Sequence, residues 1–218
     1  MSSQTPVPGA DPYLSYLARF FRFWLPVYDL FAWPIAGVYR AAVRRIAPVP
    51  GRAVLDLCTG TGEIALRCVR AGADVTGADV TPAMLAAARR KDRAGAVRWR
   101  LADGRALPWP DASFDVVSVS LALHDMPFRV RAEVLAEAAR VAREKVVVLD
   151  YEMPLRRPWR GLVTRLLALY ETAYFPDFVR RGMPAVLEAA DLPPVERRVV
   201  WRGLFALWEI PAAGRHRA

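Results

Sequence analysis

The chain is poor in lysine, histidine and cysteine, although it has 218 residues and a formal net charge of +9. Lys91 and Lys145 are its only lysines, so arginine carries nearly all of the positive charge. A positive net charge can indicate that the partner is nucleic acid, an anionic membrane surface or an acidic substrate. It can equally reflect the composition of a GC-rich genome, because alanine is abundant as well, and both interpretations stay open.

The scarcity of cysteine and of long apolar runs excludes several classes of protein. Cys58 and Cys68 form neither a CxxC pair nor a metal-binding spacing, so we expect no disulfide and no metal site. The first twelve residues lack the basic and apolar regions of a signal peptide. The longest apolar run, residues 23–39, contains two prolines and an aspartate and is shorter than the roughly 20 residues of a transmembrane helix. We therefore expect a cytoplasmic protein.

From residue 54 onwards the sequence alternates short apolar strands with helical patterns. Before this point we expect a flexible tail over residues 1–10 and then two or three short helices, broken at Pro26 and Pro34. Strand–helix alternation predicts an α/β, Rossmann-like, doubly wound sheet that is mainly parallel, with helices on both faces. The predicted strands are 54–57, 74–78, 97–101, 114–120 and 145–151, and the predicted helices are 63–70, 81–91 and 128–142.

Beyond residue 152 the pattern becomes helical and then ends in two candidate strands, 196–202 and 204–210. Because only Gly203 separates them, they predict an antiparallel hairpin that completes the sheet. We expect one structural domain overall, with a helical cap over residues 11–50, a ligand-binding core over 51–152 and a completing segment over 153–218.

A glycine-bearing turn follows the first strand, at the edge where open parallel sheets bind their ligands. In the stretch VLDLCTGTGEIAL, Asp56 comes just before Gly60 and Gly62. The turn suits either a dinucleotide or S-adenosylmethionine. Asp56 and Glu63 would repel a pyrophosphate by about 4 kcal/mol per pair of charges at about 4 Å, whereas the sulfonium and ammonium of S-adenosylmethionine are cations. Charge therefore favours S-adenosylmethionine, although Asp56 can also simply cap the loop.

Two further acids follow the next two strands. Asp79 closes the second strand, where a carboxylate can bind ribose hydroxyls, although it can also cap the helix that begins at Thr81. Asp103 and Gly104 follow the third strand, where a carboxylate can accept a hydrogen bond from an adenine amino group. Alone, this pair is only a turn signal. Together the two acids favour a cofactor that contains adenosine.

Four stretches in this order, VLDLCTGTGE, VTGADVTPAML, LADGRALPWPDASFD and VSVSLALHDMP, resemble the class I S-adenosylmethionine-dependent methyltransferases. The most similar subgroup is the ubiquinone/menaquinone-biosynthesis (UbiE/MenG-like) group, and the resemblance covers about residues 24–152. It implies a seven-stranded sheet with a terminal hairpin, S-adenosylmethionine as the cofactor and methyl transfer as the activity. The region beyond Tyr151 matches only loosely, so the small, hydrophobic acceptor stays open among a quinol, a phenol and a lipid amine.

The resemblance also implies cofactor contacts residue by residue. The stretch VYDLF resembles a Tyr-Asp element that lies over the cofactor in the family, and the family loop most often has glycine where Cys58 stands. The implied contacts are Asp56, Gly60, Thr61 and Gly62 to the methionine moiety, Asp79 to the ribose with Val80 and Met84 nearby, Asp103 and Gly104 to the adenine, and Ser120 beside the cofactor, with Tyr28 above it.

His124 is the candidate catalytic base, with Asp125 beside it in the loop after the fourth strand. Methyl transfer chiefly needs positioning, so a base is required only if the acceptor must lose a proton. In the alternative interpretation Asp125 caps the next helix and His124 merely lines the pocket wall. Tyr170, Glu171, Tyr174 and Arg181 are candidates for lining the acceptor pocket, although helical amphipathicity explains them equally well.

Aromatic residues on both flanks of the core are either ordinary core or the walls of a hydrophobic acceptor pocket. Arginines near them can form a rim that rests on anionic lipid, which would make the protein peripheral to the membrane. The predicted rim consists of Arg19, Arg22, Arg40, Arg44, Arg45, Arg156, Arg157 and Arg160.

Three other functions are alternatives to methyl transfer to a small acceptor. An NAD-dependent oxidoreductase shares the glycine loop, but the short-chain type needs Tyr-x-x-x-Lys, which none of the seven tyrosines provides. A nucleic-acid methyltransferase would suit the charge, but the sequence lacks an Asn-Pro-Pro-Tyr-like motif and an appended binding module. The full set of cofactor residues argues against a non-catalytic binding module. The oligomeric state is not indicated.

Overall fold

The computed structural model describes residues 11–32, 35–152, 157–167, 170–193 and 195–213. The predicted tail over residues 1–10, the predicted break at Pro34 and Arg156 of the predicted rim lie outside these ranges. The strands are β1 Ala53–Leu57, β2 Asp74–Asp79, β3 Arg98–Leu101, β4 Phe114–Ser120, β5 Ala142–Tyr151, β6 Glu196–Val200 and β7 Phe205–Pro211. The helices are α1 Pro12–Ala32, α2 Ala36–Ile46, α3 Glu63–Arg70, α4 Pro82–Lys91, α5 Phe128–Val141, α6 Arg157–Leu167 and α7 Phe175–Ala189.

The strands form one seven-stranded sheet in the order β3-β2-β1-β4-β5-β7-β6. The five strands β1 to β5 are parallel, whereas β7 runs antiparallel to both β5 and β6. The predicted fold class and the terminal hairpin are therefore confirmed. The hairpin turn is longer than a single glycine, because Trp201, Arg202 and Gly203 all have positive φ angles.

Helix α1 differs from the prediction, because its 21 residues continue through Pro26 without a break. A proline removes one backbone hydrogen bond and normally ends a helix when that loss occurs inside a core. Arg22, whose carbonyl loses its partner, and Pro26 both face solvent, so water can satisfy the carbonyl. The predicted break at Pro26 is wrong for this reason. Within the described residues, no helix combines the length and apolarity needed to cross a membrane.

The sheet has an apolar core on each face. One core packs Leu55, Val117 and Val148 of the central strands against α5 and α7, and the other packs alternate residues such as Val54 and Val116 against α2 and α3. Because both faces are buried, the middles of β1, β4 and β5 are largely apolar, as expected for central parallel strands. Their polar residues lie mostly toward the strand ends: Asp56, Ser120 and Asp150 toward the carboxyl ends, and Asp115 and residues 143–145 toward the amino ends.

Trp99 on β3 holds the glycine turn against the sheet. Its indole Nε1 donates a hydrogen bond of 3.1 Å to Asp92, which fixes the plane of the ring. A Cβ added to Gly77 would lie 2.5 Å from this ring, and one added to Gly62 would lie 2.8 Å from it. Neither position leaves space for a side chain, so the ring determines how closely the turn approaches β2 and β3.

We expect Gly77→Ala to destabilise the protein by about 1–3 kcal/mol, because the Trp99 ring must shift inside a packed core. Urea unfolding followed by circular dichroism measures this loss. Gly161→Ala is the matched control, since a Cβ at this helical position meets open space. It should be neutral or stabilising by up to about 1 kcal/mol. Equal unfolding midpoints for Gly77→Ala and the unmodified protein would contradict the proposed packing.

Candidate cofactor and acceptor sites

Asp56 joins four parts of the fold through one buried carboxylate. It accepts hydrogen bonds from Thr59 Oγ1 at 2.5 Å, Ser118 Oγ at 2.6 Å and the backbone amide of Ala65 at 3.1 Å. Burial raises the pKa of Asp56 to about 6, although the three hydrogen bonds lower it. These contacts connect β1, the turn, α3 and β4, so holding the loop in place is one task of this acid. The same residue also lines a small cavity beside the turn.

The turn itself is tight, because three of its residues have left-handed backbone. The φ angles are +56° at Cys58, +54° at Gly60 and +86° at Gly62. A residue with a side chain costs about 1–2 kcal/mol in this region of φ, which explains why glycine is common at the position of Cys58 in the family that the sequence resembles. Strain of this kind is typical of sites that hold a ligand close to the backbone.

Asp79 connects the carboxyl ends of β1 and β2. Its Oδ2 accepts from the amide of Gly60 at 2.9 Å, and its Oδ1 accepts from the amide of Thr81 at 2.8 Å. Burial raises the pKa of Asp79 above its ordinary value. Thr81 stands directly before Pro82, the first residue of α4, and occupies the N-cap position, but its side chain makes no capping hydrogen bond.

Asp103 forms an ion pair that sequence reasoning missed. Arg105 Nη2 lies 2.6 Å from Asp103 Oδ2, and Nη1 of the same guanidinium lies 2.7 Å from Asp11 Oδ2. Arg105 thus connects the residue before α1 to the loop after β3. The pair compensates much of the negative charge of Asp103, whose two carboxylate oxygens both accept hydrogen bonds from Arg105.

Glu63 does not add net negative charge to the turn, which corrects the electrostatic argument made from the sequence. Its carboxylate lies 3.1 Å from Arg67 and 3.6 Å from Lys91. Lys91 Nζ also donates to Thr61 Oγ1 at 2.9 Å. The negative charge that faces a ligand therefore comes from the aspartates at the strand ends and not from the start of α3.

Most of the predicted cofactor residues line one narrow cavity at the carboxyl ends of β1 to β3. Its free volume is about 70 Å³, and the side chains of α1 form its roof. Ser120 lines the adjoining small cavity, where its buried Oγ has no hydrogen-bond partner among the described residues. Gly62 lies behind the turn against Trp99. The first cavity is lined by Tyr28, Gly60, Asp79, Val80, Met84, Asp103 and Gly104, and the small one by Tyr28, Asp56, Gly60, Thr61 and Ser120.

This arrangement fits an adenosyl-sulfonium compound. Two buried acids, Asp56 and Asp79, lie at the turn, and among the described residues the ion pair of Asp103 is with Arg105. A polar atom without a partner, Ser120 Oγ, faces the side expected to hold the amino-acid moiety. A pyrophosphate would instead meet acids on both sides of the turn.

A second, wider cavity adjoins the first and has a free volume of about 290 Å³. Tyr28, Leu121 and Asp125 line both cavities. Leu121 has a φ of +51°, so the backbone that separates the two spaces is strained. Aromatic residues of α1 form part of the wall of this cavity. The walls include Phe20, Phe21, Trp24, Tyr39, Tyr151, Tyr170, Trp201 and Phe205, and the polar side chains are His124, Asp125 and Glu171.

His124 lies in this second cavity among three carboxylates. Its Nδ1 lies 2.6 Å from Asp150 Oδ1, and its Nε2 lies 3.2 Å from Glu171 Oε2 and 3.5 Å from Asp125 Oδ2. Burial lowers the pKa of His124, but the carboxylates together raise it well above its ordinary value. A protonated ring has no lone pair to accept a proton, so a role as base requires the neutral ring that these neighbours disfavour. The base assignment stays a prediction.

Asp125 does not cap the following helix, so the capping part of the alternative is wrong, whereas His124 does line the cavity wall. Helix α5 begins at Phe128, and Pro127 before it makes no side-chain cap. Asp125 lies instead in a 3₁₀ turn of residues 123–125 and faces His124. Asp150 was missed by sequence reasoning, although a signal existed, because an acid at the carboxyl end of a central strand has the same position as Asp56 and Asp79.

Arg131 fixes the loop of His124 against the start of α7. Its fully buried guanidinium donates to the carbonyls of Leu123 and Tyr174 and to Asp177 Oδ2, each at 3.0 Å. Sequence reasoning missed this residue too, since nothing in the pattern of α5 distinguishes Arg131 from an ordinary basic residue of a helix.

Tyr174 and Arg181, predicted as pocket residues, do not line the wide cavity, and Arg181 stacks over Phe128.

The comparisons with known proteins agree with this geometry. Residues 54–145 match the methyltransferase domain family. The chain is 35% identical to a demethylmenaquinone methyltransferase of Parafrankia sp., over 80% of this chain and 74% of that protein. It is 40% identical to one of Thermus thermophilus, but the match spans only 58% of this chain and 59% of the relative. An S-adenosylmethionine-dependent methyltransferase from Aquifex aeolicus has the same fold, with a TM-score of 0.55, 17% identity and coverage of 80% and 89% of the two chains.

The match to the Parafrankia protein covers most of both chains at 35% identity. Together with the glycine turn and the acids at the strand ends, this match establishes the family. The chain belongs to the class I S-adenosylmethionine-dependent methyltransferases, in the group that contains the demethylmenaquinone methyltransferases.

Proposed function

We propose that the protein transfers the methyl group of S-adenosylmethionine to a small, hydrophobic acceptor that carries a hydroxyl group, with a quinol as the first candidate. The observation that carries this proposal is the contact between the two cavities at Tyr28, Leu121 and Asp125. A ligand in the narrow cavity and a ligand in the wide one meet there without water between them. The names of the relatives support a quinol rather than a lipid amine.

The bound cofactor supplies a methyl group on a sulfonium, whose carbon–sulfur bond breaks as the acceptor's electron pair forms the new bond in line with it. The protein's own task is to position and shield. Tyr28 lines all three cavities around the turn and excludes water from their junction. Positioning of this kind supplies a large share of the rate enhancement in displacement reactions.

The acceptor cavity suits a flat aromatic molecule. Its walls are mostly aromatic, and its three polar side chains, His124, Asp125 and Glu171, lie together. A quinol ring would pack against the aromatic walls and direct a hydroxyl group to these polar residues. A purely aliphatic acceptor would displace water from these polar side chains without offering a hydrogen bond in return, which is costly.

We expect Asp79→Asn to weaken S-adenosylmethionine binding by about 10–100-fold, because a hydrogen bond to a charged group contributes about 1.5–3 kcal/mol. Isothermal titration calorimetry measures the dissociation constant, and NAD should not bind. Asp74→Asn is the matched control, since Asp74 lies at the exposed opposite end of the same strand. Equal losses in the two variants, or binding of NAD by the unmodified protein, would refute the assignment of this cavity.

We expect Phe20→Ala to raise the KM for a short-chain naphthoquinol about tenfold or more, because the acceptor loses an aromatic wall worth about 1.5–3 kcal/mol. The dissociation constant of S-adenosylmethionine should not change, since Phe20 lines only the wide cavity. An assay of methyl transfer from radiolabelled S-adenosylmethionine measures this KM in each variant. Phe23→Ala, on the same helix but 75% exposed, is the control. An unchanged KM in Phe20→Ala would place the acceptor elsewhere.

We also propose that the mouth of the wide cavity rests on an anionic membrane surface. Phe23 and Leu30 are 75% and 68% exposed on α1, and Arg19 and Arg22 on the same helix face solvent. Apolar side chains flanked by arginine are typical of helices that lie in a membrane interface. Arg45 does not belong to this rim, because it pairs with Glu209 at 2.9 Å.

We expect co-sedimentation with phosphatidylcholine vesicles to increase when phosphatidylglycerol is added, because arginine contributes about 1 kcal/mol per residue near an anionic surface. Phe23→Ala should weaken this binding. Val49→Ala should not, since this exposed valine precedes β1 at the end of the sheet opposite the cavities. Binding that does not depend on the anionic lipid would exclude the membrane surface.

A further inference from the structure

Three side chains from two distant parts of the chain converge on one point in the wide cavity. His124 and Asp125 follow β4, whereas Glu171 precedes α7, and one ligand atom of each lies within 4.8 Å of the others. His124 Nε2 lies 3.2 Å from Glu171 Oε2 and 3.5 Å from Asp125 Oδ2. We call these three residues the His-Asp-Glu cluster. An imidazole and two carboxylates are ligands that first-row divalent metals accept.

The buried carboxylate of Asp125 independently indicates a ligand at the His-Asp-Glu cluster. The residue is only 7% exposed, and its Oδ1 has no hydrogen-bond partner among the residues the structure describes. A buried carboxylate oxygen without a donor is costly, and native structures rarely keep one without a ligand or an ion. Asp125 lines both cavities, so this oxygen lies where the cofactor and acceptor spaces meet.

The groups behind the cluster orient it as the outer partners of metal ligands do. Asp150 Oδ1 lies 2.6 Å from His124 Nδ1, which directs the opposite nitrogen, Nε2, to the cluster. Tyr151 Oη donates to Glu171 Oε1 at 2.7 Å, which leaves Oε2 to face Nε2. A histidine that ligates a metal usually donates its other ring N–H to a carboxylate, and ligating carboxylates are themselves hydrogen-bonded.

The charges around the cluster are not balanced by the protein. In the described part of the chain, the ion pairs of Asp125, Asp150 and Glu171 are all with His124. The nearby guanidinium of Arg131 pairs with Asp177 instead. The buried carboxylates of Asp125 and Asp150 and the partly buried one of Glu171 surround one imidazole, which leaves an excess of negative charge in a largely aromatic cavity. A bound cation would neutralise it.

We propose that His124 Nε2, a carboxylate oxygen of Asp125 and Glu171 Oε2 bind one divalent metal ion of the Mn²⁺, Fe²⁺ or Zn²⁺ type at the wall of the acceptor cavity. Ligand atoms at about 2.0–2.2 Å from a common metal lie roughly 3.0–3.5 Å apart, which matches the distances from His124 Nε2 to Glu171 and to Asp125. Three protein ligands leave positions open toward the cavity. If the proposed function holds, an acceptor oxygen occupies one of them, and the lone pair of His124 then serves the metal rather than a proton.

Calorimetric titration of the untagged full-length protein with Mn²⁺, in the absence of acceptor, tests this site. We expect one ion per chain. Glu171→Gln should weaken binding at least tenfold, since it removes a charged ligand without changing the shape of the side chain. Asp150→Asn should weaken it by about 10–100-fold, because it acts on the orientation of His124. Glu188→Gln is the matched control, since Glu188 is an exposed glutamate of α7, and it should bind as the unmodified protein does.

S-adenosylmethionine binding is measured on the same samples, so that failure of the metal site and failure of the proposed function can be told apart. If the protein binds S-adenosylmethionine but neither Mn²⁺ nor Zn²⁺ up to about 1 mM, the metal proposal is overturned and the proposed function stands. Binding of Mn²⁺ that neither Glu171→Gln nor Asp150→Asn weakens also overturns it. Tyr151→Phe keeps the ring and removes only the hydroxyl that orients Glu171, so it replaces Glu171→Gln should that variant fail to fold, and it too should weaken binding.

Discussion

The buried carboxylate of Asp56 is the constraint on which the ligand-binding edge depends. Its three hydrogen bonds attach the glycine turn to the start of α3 and to β4. β1 and β4 are paired neighbours, and the topology of the sheet reverses direction at their carboxyl ends, where ligands of open α/β sheets bind. Both cavities border these strand ends. A change at Asp56 would therefore act on the shape of the whole edge rather than on a single contact.

The distribution of charge within the molecule reconciles a basic protein with a cationic ligand. The chain carries a net charge of +9, yet acids stand at or just after the carboxyl ends of β1, β2, β3 and β5. Asp103 and Glu63 are compensated by arginine or lysine, whereas Asp56 and Asp79 are held mainly by uncharged donors. Negative charge is thus concentrated inside the cleft and positive charge on the outer surface, so a protein with a positive net charge can still bind a cationic sulfonium.

The features that the sequence predicts well are those that depend on near neighbours. The parallel strands, the glycine turn and the start of α4 at Pro82 follow from local pattern and backbone preference. The sequence misplaces α1, because whether Pro26 breaks a helix depends on the exposure of Arg22. It also leaves open a capping role for Asp125, because the next helix is close in the sequence, whereas in the fold Asp125 faces His124.

The remaining features depend on contacts between residues that are far apart in the sequence. Arg105 meets Asp11 across 94 positions, and His124 meets Glu171 across 47. Arg131 holds a loop and a helix start together from inside a third helix. No local pattern distinguishes such residues from solvent-exposed charges, so the polar side of the acceptor cavity becomes visible only once the chain is folded.

Helix α1 forms a wall of the cofactor cavity and a wall of the acceptor cavity at the same time. Two contacts hold it down at its beginning: the ion pair of Asp11 with Arg105, and the hydroxyl of Tyr16, which accepts from the amide of Ala173 at 3.0 Å. Displacement of α1 at this end would therefore widen both cavities together, so the two contacts couple access to one cavity with access to the other.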